Sequence, residues 1–247
     1  MKPAIESTMA ALRKGPRPMG WAALRSRLAF LGLPPCCLYC GAAGDLGPID
    51  ACACCLTVLP WSVDSTPADV LSTLEYRGSV ADDLRALKFR GDRRSAAVYG
   101  TLLAVRAALV CPPERRPAIL VPVPLHPERL AQRGFNQAAL LARRVGAWLG
   151  IPVDESLLAR RLATLPQSSL PAAARRDNVR EAFVATERLR HRLNSLSNRS
   201  VALIDDVTTT GATLAAAAGA LESAGVVAIQ RWVVARTMPS HTARPTY

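Results

Sequence analysis

The sequence predicts an α/β protein in which a mainly parallel sheet is flanked by helices and preceded by a small cysteine-rich module. Three observations predict it. Apolar runs typical of buried strands alternate with stretches of helical spacing along most of the chain. One such run, Val201–Ile204, leads through a polar turn straight into an alanine-rich stretch. Six of the seven cysteines lie between positions 36 and 55.

The elements follow one another in the order that a parallel sheet requires. Residues 1–33 are rich in Arg, Pro and Gly and are expected to form a flexible leader with one short amphipathic helix, Trp21–Leu31. The polar and basic stretch Arg188–Arg199 is expected to be an exposed connection, and Pro124–Asn136 a loop after a strand. Helical spacing marks Asp82–Lys88, Ala96–Val110 and Ala138–Leu149, and apolar runs predict strands at Ala118–Val123, Leu157–Ala163, Ala182–Ala185 and Val226–Ala235.

Composition indicates a folded globular protein. The chain has 247 residues, of which 50% are hydrophobic and 20% charged, enough to bury a sizeable core. Its net charge of +12 would attract phosphorylated ligands or nucleic acid. A genomic base composition that favours arginine codons would give the same excess of basic residues. No apolar segment has the length of a membrane span or the pattern of a secretion signal, so we expect a cytoplasmic protein without membrane insertion.

Two Cys-x-x-Cys pairs in the cysteine-rich module predict a structural zinc site. The pairs are Cys37/Cys40 and Cys52/Cys55, and 11 residues separate them. Four thiolates complete the tetrahedral shell of zinc and leave no open position for catalysis. Cys36 and Cys54 adjoin these residues and could replace them as ligands, and thiols without a metal remain the alternative.

The turn after Val201–Ile204 predicts a site for a ribose 5-phosphate. Backbone N–H groups and hydroxyls at the start of the following helix favour a phosphate. The preceding carboxylates, Asp205 and Asp206, suit ribose hydroxyls or a magnesium ion. The alternative is a turn that only caps its helix. The candidate phosphate-binding residues are Thr208, Thr209, Thr210, Gly211, Ala212 and Thr213.

These motifs resemble those of a known family. The run Leu203–Leu214 is similar to the phosphoribosyl-pyrophosphate (PRPP) motif of type I phosphoribosyltransferases. Val121–His126 and Arg133–Gln137 resemble one branch of that group, the ComF proteins. The resemblance covers roughly residues 34 to 237 in the family's order, with further matches at Leu87–Asp92, Gln167, Leu170, Arg176, Asn178 and Ala182–Phe183.

The resemblance implies a domain plan and a biological setting. Residues 34–60 would form a zinc ribbon and 68–237 a type I phosphoribosyltransferase-like domain, with 238–247 as a disordered tail. It implies a role in DNA uptake during natural competence, with single-stranded DNA and a competence helicase as plausible partners. The protein would bind PRPP or a related ribose 5-phosphate with magnesium. An active phosphoribosyltransferase with an unidentified nitrogenous acceptor is the alternative function.

Three further residues are candidates for the same site. In the resembling family the loop after the Val121–Pro124 strand lies against pyrophosphate, which makes His126 and Arg133 candidates here. Lys88, a rare lysine in an arginine-rich chain, is a candidate phosphate contact. We expect Asp205, Asp206 and Arg133 to form the catalytic group if the protein is a transferase.

Overall fold

A computed structural model gives the architecture of the chain. It describes residues 7–8, 10–12, 36–43, 49–62, 70–161, 182–195 and 199–238. The matches at Gln167, Leu170, Arg176 and Asn178 lie outside these residues, as does the predicted tail beyond 238. In chain order the elements are α1 (Ala53–Val58), β1 (Leu71–Glu75), α2 (Gly78–Arg90), α3 (Arg93–Val110), β2 (Ile119–Pro122), α4 (Pro127–Arg133), α5 (Gln137–Leu149), β3 (Leu158–Arg160), β4 (Phe183–Ala185), α6 (Glu187–Ser195), β5 (Ser200–Thr208), α7 (Ala212–Ser223) and β6 (Ala228–Arg236).

The centre of the fold is a four-stranded parallel sheet in the order β1–β6–β5–β2. Its middle strands are held in register by the pairing of Ile204 with Trp232, and Pro122 pairs with Ile204 on the other side. Because all four strands run the same way, their carboxyl ends meet at one edge, where open sheets of this kind bind ligands. The predicted α/β fold class is confirmed.

Alternating residues of β5 build two cores, one on each face of the sheet. Ala202 and Ile204 pack with apolar side chains of α2, α3 and α5. Val201 and Leu203 pack with α6, α7 and the β3–β4 hairpin on the opposite face. Successive side chains of a strand point to opposite faces, so β5 is apolar on both and reads as a continuous hydrophobic run.

The helices predicted at Asp82–Lys88, Ala96–Val110 and Ala138–Leu149 are confirmed, and each begins earlier than its apolar spacing indicated. The predicted helix Trp21–Leu31 lies outside the described residues. The side chain of Asp92 accepts a hydrogen bond from the N–H of Arg94 at 3.0 Å and caps α3, which therefore begins at Arg93, three residues before the predicted Ala96. Asn136 caps α5 in the same way. Among the described helices, none combines the length and hydropathy that crossing a membrane requires.

Two predictions about connections are wrong. The stretch from Arg188 was expected to be exposed, but α6 forms there and buries Leu189 and Leu193. Their i,i+4 spacing gives the helix one apolar face despite its many charges. The expected loop Pro124–Asn136 contains α4, whose first residue, Pro127, suits the first turn of a helix.

Other differences concern strands and the N-terminus. The predicted strands β3 and β4 form a separate antiparallel hairpin outside the parallel sheet. Strand β1 was not predicted, because Ser72 and Thr73 interrupt its apolar pattern although both are buried. Of the expected flexible leader, residues 7–8 and 10–12 are helical, and Leu12 packs into the core.

Candidate functional site

Asp205 and Asp206 lie near the carboxyl end of β5 and are both buried, with exposed fractions of 9% and 3%. The backbone N–H of Asp206 donates to Asp205 Oδ1 at 2.9 Å. Two adjacent carboxylates in a strand point to different faces, so each meets a different set of partners. Burying two carboxyl groups among apolar side chains is unfavourable, which makes this end of the sheet a candidate ligand site.

On the α2 side, cations approach Asp206. Lys88 Nζ lies 3.3 Å from Asp206 Oδ2, although that buried oxygen accepts no hydrogen bond in the part of the chain described. Burial lowers the pKa of Arg133, and the nearby charge of Asp206 acts in the opposite direction. The Arg133 guanidinium is held by a 2.8 Å hydrogen bond from Nη1 to Gln137 Oε1. The structure thus brings together Lys88, Arg133 and Asp206, which are distant in sequence.

On the opposite side, Asp205 faces the β3–β4 hairpin. Burial raises the pKa of Asp205 well above its usual range; Asp206 raises it further, and Lys88 lowers it. Arg160 of β3 interacts electrostatically with both Asp205 and Arg129. Sequence reasoning assigned no role to Arg160 or Arg129. The only signal for Arg160 was a charged residue inside a predicted strand, which does not reveal its distant partner.

The turn Thr209–Gly211 joins β5 to α7 and leaves its backbone N–H groups available. Ala212 N–H makes one long contact, 3.4 Å, with Thr210 Oγ1. Within the described ranges, the N–H groups of Thr209, Thr210 and Gly211 donate no hydrogen bond. Gly211 has φ 76°, a left-handed conformation that side chains disfavour, and it turns the chain into α7. Thr208 lies at the strand end and Thr213 in the first turn of the helix.

His126 has a local structural role. Its Nδ1 accepts a hydrogen bond from the N–H of Glu128 at 3.4 Å and caps α4. Glu128 Oε2 lies 3.7 Å from the same nitrogen. The imidazole is half-buried beside the loop that follows β2. Its polar contacts in the described residues are with Glu128, so the structure does not bring it into contact with the aspartates.

The cysteine-rich module gathers four thiols that could hold zinc. Their sulfur atoms all lie within 4.8 Å of one another, and Cys40 and Cys52 Sγ are 3.8 Å apart. Tetrahedral zinc with Zn–S bonds of about 2.3 Å requires sulfur separations of about 3.8 Å. The four are the residues of the two predicted pairs, Cys37, Cys40, Cys52 and Cys55.

Backbone groups favour a thiolate at Cys37, whereas a side-chain hydrogen bond with Cys52 raises the pKa of Cys55. The N–H of Cys52 donates to Cys37 Sγ at 3.3 Å, and that of Cys55 donates to Cys52 Sγ at 3.4 Å. Burial raises the pKa of Cys37, but backbone hydrogen bonds from Cys52, Cys40 and Tyr39 outweigh it and lower the pKa to about 6. Such N–H···S bonds stabilise the ionised sulfur that zinc binds.

The module is attached to the main domain by polar and apolar contacts. Arg94 Nη2, at the start of α3, donates to the carbonyl oxygen of Cys36 at 2.7 Å. Arg94 Nε also lies 3.8 Å from Asp50 Oδ2. Leu56 packs in the same core as Leu84 and Leu87 of α2. Cys36 and Cys54 lie outside the four-sulfur cluster.

The raised pKa of Asp205 predicts how stability changes with pH. Because the folded protein binds this proton more tightly than the unfolded chain does, stability is lost as pH rises towards and through the raised pKa. Asp205→Asn keeps an acceptor for the Asp206 N–H and removes the ionisation. We expect it to increase the free energy of unfolding at neutral pH by about 1 kcal/mol. Urea unfolding from pH 5 to pH 8 measures this, and a gain that does not increase with pH would contradict it.

Characterised proteins similar to this chain carry names that refer to competence or DNA utilization. DNA utilization protein YhgH of Escherichia coli K12 is 32% identical over 205 residues, which cover 82% of this chain and 84% of that protein. Competence protein F of Haemophilus influenzae is 40% identical over 135 residues, 54% of this chain and 57% of that protein. Competence protein ComFC of Bacillus subtilis is 34% identical over 157 residues, 64% of this chain and 59% of that protein. The chain therefore spans little more than half the length of the last two. No protein-family model matches the chain.

Proposed function

This chain belongs to the ComF family, and on that premise we propose that it binds PRPP or a related ribose 5-phosphate with magnesium and supports DNA uptake in natural competence. The observation that carries the proposal is the pairing of a turn with available N–H groups and two buried carboxylates at one sheet edge. The names of the relatives, competence protein and DNA utilization protein, support the biological role.

The phosphate of the ligand would lie in the turn. The N–H groups of Thr209, Thr210 and Gly211 are available as donors, and the start of α7 adds the positive end of the helix dipole. The side chains of Thr208 and Thr213 flank this position in the sequence. A phosphate dianion can accept several such hydrogen bonds at once. A turn that only caps its helix would not need several available N–H groups.

The ribose and a magnesium ion would meet the aspartates. Asp206 Oδ2 is buried without a hydrogen bond, an oxygen that a ribose hydroxyl or hydrated Mg²⁺ would satisfy. A divalent cation would also favour the ionised form of Asp205, whose pKa burial raises. These two residues are therefore proposed as the magnesium-binding and ribose-binding group.

The cations around the aspartates suit the pyrophosphate. Lys88 and Arg133 approach from the α2 side, and Arg160 approaches Asp205 from the hairpin. Guanidinium and ammonium groups bind phosphate oxygens through charge-assisted hydrogen bonds. In the absence of ligand, Lys88 pairs with Asp206 instead, so the ligand's charges would replace an existing ion pair. His126, committed to its helix cap, contributes at most through the loop it anchors.

Zinc is proposed as a structural metal bound by Cys37, Cys40, Cys52 and Cys55. The mutual sulfur separations and the N–H···S bonds support this assignment. Four cysteines leave no position for a substrate. The metal would hold together a short segment whose own core is small.

A calorimetric titration of PRPP tests the proposed ligand. We expect binding in magnesium that weakens strongly when EDTA replaces the metal. Gly211→Ala places a side chain at φ 76°, which costs about 1–2 kcal/mol. We expect the turn to relax away from this conformation and move its N–H groups, which should lower PRPP affinity about tenfold. Gly219→Ala, inside α7 with open space around its Cβ, is the matched control and should bind as wild type does.

Two results would separate the alternatives. Wild-type protein that binds no PRPP in magnesium would reject the proposed ligand, and equal affinities of the two alanine variants would reject the phosphate position. Pyrophosphate release from PRPP in the presence of a pool of bases and amines would identify an active phosphoribosyltransferase. We propose single-stranded DNA as a partner, since a net charge of +12 favours polyanions. We also propose a competence helicase as a partner, because relatives of the chain are named competence proteins.

A further inference from the structure

We propose that the end of α2 is a docking surface for single-stranded DNA, on which one base stacks against Phe89 while exposed arginines bind the neighbouring phosphates. The inference rests on the DNA-handling part of the proposed function and adds the place where the strand binds. We call this surface the Phe89 surface; it consists of Phe89 and Arg90 at the end of α2, Arg93 at the start of α3, and Arg129, which lies one turn before Arg133 on α4.

Phe89 is unusually exposed for an aromatic side chain at a functional edge. Its exposed fraction is 74%, although it directly follows Lys88, which contacts Asp206. The Arg133 guanidinium lies over the ring, 5.6 Å from its centroid. A cation on one face leaves the ring's other face to a second π-system, and aromatic side chains of this kind are the stacking platforms for unpaired bases.

The residues next to the Phe89 ring are held in place by close packing and a hydrogen bond. Gly91 ends α2 with φ 65°, and a Cβ built there would meet the Phe135 ring at 3.1 Å, so this turn packs closely on the segment before α5. Arg133 is fixed in turn by Gln137. A ring whose neighbours are fixed loses little conformational entropy when a base covers it.

The surrounding arginines are available for phosphates. Arg90, Arg93 and Arg129 are exposed, and in the described part of the chain no carboxylate lies within 4.0 Å of any of them. Some arginines elsewhere on the surface are paired, namely Arg85 with Asp82, Arg143 with Glu155 and Arg190 with Glu187. Unpaired guanidinium groups beside an exposed ring complement a polyanion that also offers bare base faces.

An unpaired strand fits this surface better than a duplex does. Bases in a duplex are stacked on one another and their faces are not accessible to Phe89. Stacking is tolerant of sequence because every base has a π-face. The surface continues from Lys88, so a bound strand would lie beside the proposed PRPP site.

Fluorescence anisotropy with a labelled oligothymidine tests the stacking contact. We expect Phe89→Ala to weaken binding at least fivefold, which is the lower end for one base on an aromatic ring. Phe89→Leu should weaken oligothymidine binding by a similar factor, whereas Phe89→Trp should bind as wild type does. Val227→Ala is the matched control: Val227 is 80% exposed but precedes β6, at the opposite edge of the sheet, and its loss should change nothing.

The salt dependence tests the phosphate contacts. Each phosphate neutralised on a single strand contributes about 0.7 to the slope of log affinity against log salt, so Arg90→Ala/Arg93→Ala should reduce that slope by about 1.4. Binding of the Phe89→Ala variant equal to that of wild type, or preference of wild type for a duplex, would overturn the placement. Wild type that binds PRPP but no single strand would reject the DNA-handling proposal itself. An acidic peptide that displaces the strand equally from wild type and from the Phe89→Ala variant would assign the surface to a protein partner.

Discussion

Replacing Asp205 and Asp206 together by Asn should reduce the affinity for PRPP in magnesium by at least about 100-fold. Each carboxylate would lose a charge-assisted contact with the cation or the ribose, worth roughly 1.5–3 kcal/mol. The amides are close in size to the carboxyls, so the buried edge should remain packed. Isothermal calorimetry of PRPP with magnesium measures the change.

A carboxylate far from the turn provides the control for that variant. Glu222 is exposed in the last turn of α7, whereas the proposed phosphate position is at its first turn. Glu222→Gln also removes one negative charge and should leave PRPP affinity unchanged. Undiminished PRPP binding by the folded double Asn variant would contradict the assignment of the aspartates.

Replacing Cys37 and Cys52 together by Ser should abolish zinc binding and lower the melting temperature by about 10 °C or more. Structural zinc contributes its binding free energy directly to folding, on the order of 10 kcal/mol in small modules. The loss reaches the main domain because Leu56 shares a core with Leu84 and Leu87. Metal analysis by mass spectrometry and thermal unfolding measure the two effects.

The cysteines outside the cluster test the ligand set. Cys36→Ser and Cys54→Ser should each retain one zinc ion per chain, because neither sulfur belongs to the four that lie within 4.8 Å of one another. Loss of zinc from either variant would show that the ligand set is wrong. Absence of zinc from wild-type protein purified without chelator would reject the metal altogether.

Local sequence pattern predicted the parts of the site that are continuous in the chain. Val201–Ile204, the turn and α7 form one strand–turn–helix segment, and each step has its own sequence signal. The Cys-x-x-Cys spacing likewise predicted the cluster. In contrast, the approach of Arg160 to Asp205 depends on how the β3–β4 hairpin packs over the sheet, which no local pattern reports.

Two elements, α6 and β1, were not predicted because polar side chains interrupt their apolar patterns. Leu189 and Leu193 face a core, but the basic residues between them dominate the composition and suggested an exposed segment. In β1, Ser72 is accommodated in the interior because its hydroxyl donates to the carbonyl oxygen of Leu74 at 3.0 Å. A buried polar group becomes acceptable only when its partner is known.

If the proposed zinc and PRPP sites are correct, the common core of the cysteine-rich module and α2 would link zinc supply to ligand recognition. Leu84 and Leu87 anchor the inner side of the same helix that presents Lys88 to Asp206. Without zinc, the packing of Leu84 and Leu87 would loosen, and Lys88 would move away from Asp206. Low zinc would thereby weaken ligand binding at the proposed sugar-phosphate site, although zinc itself does not bind there.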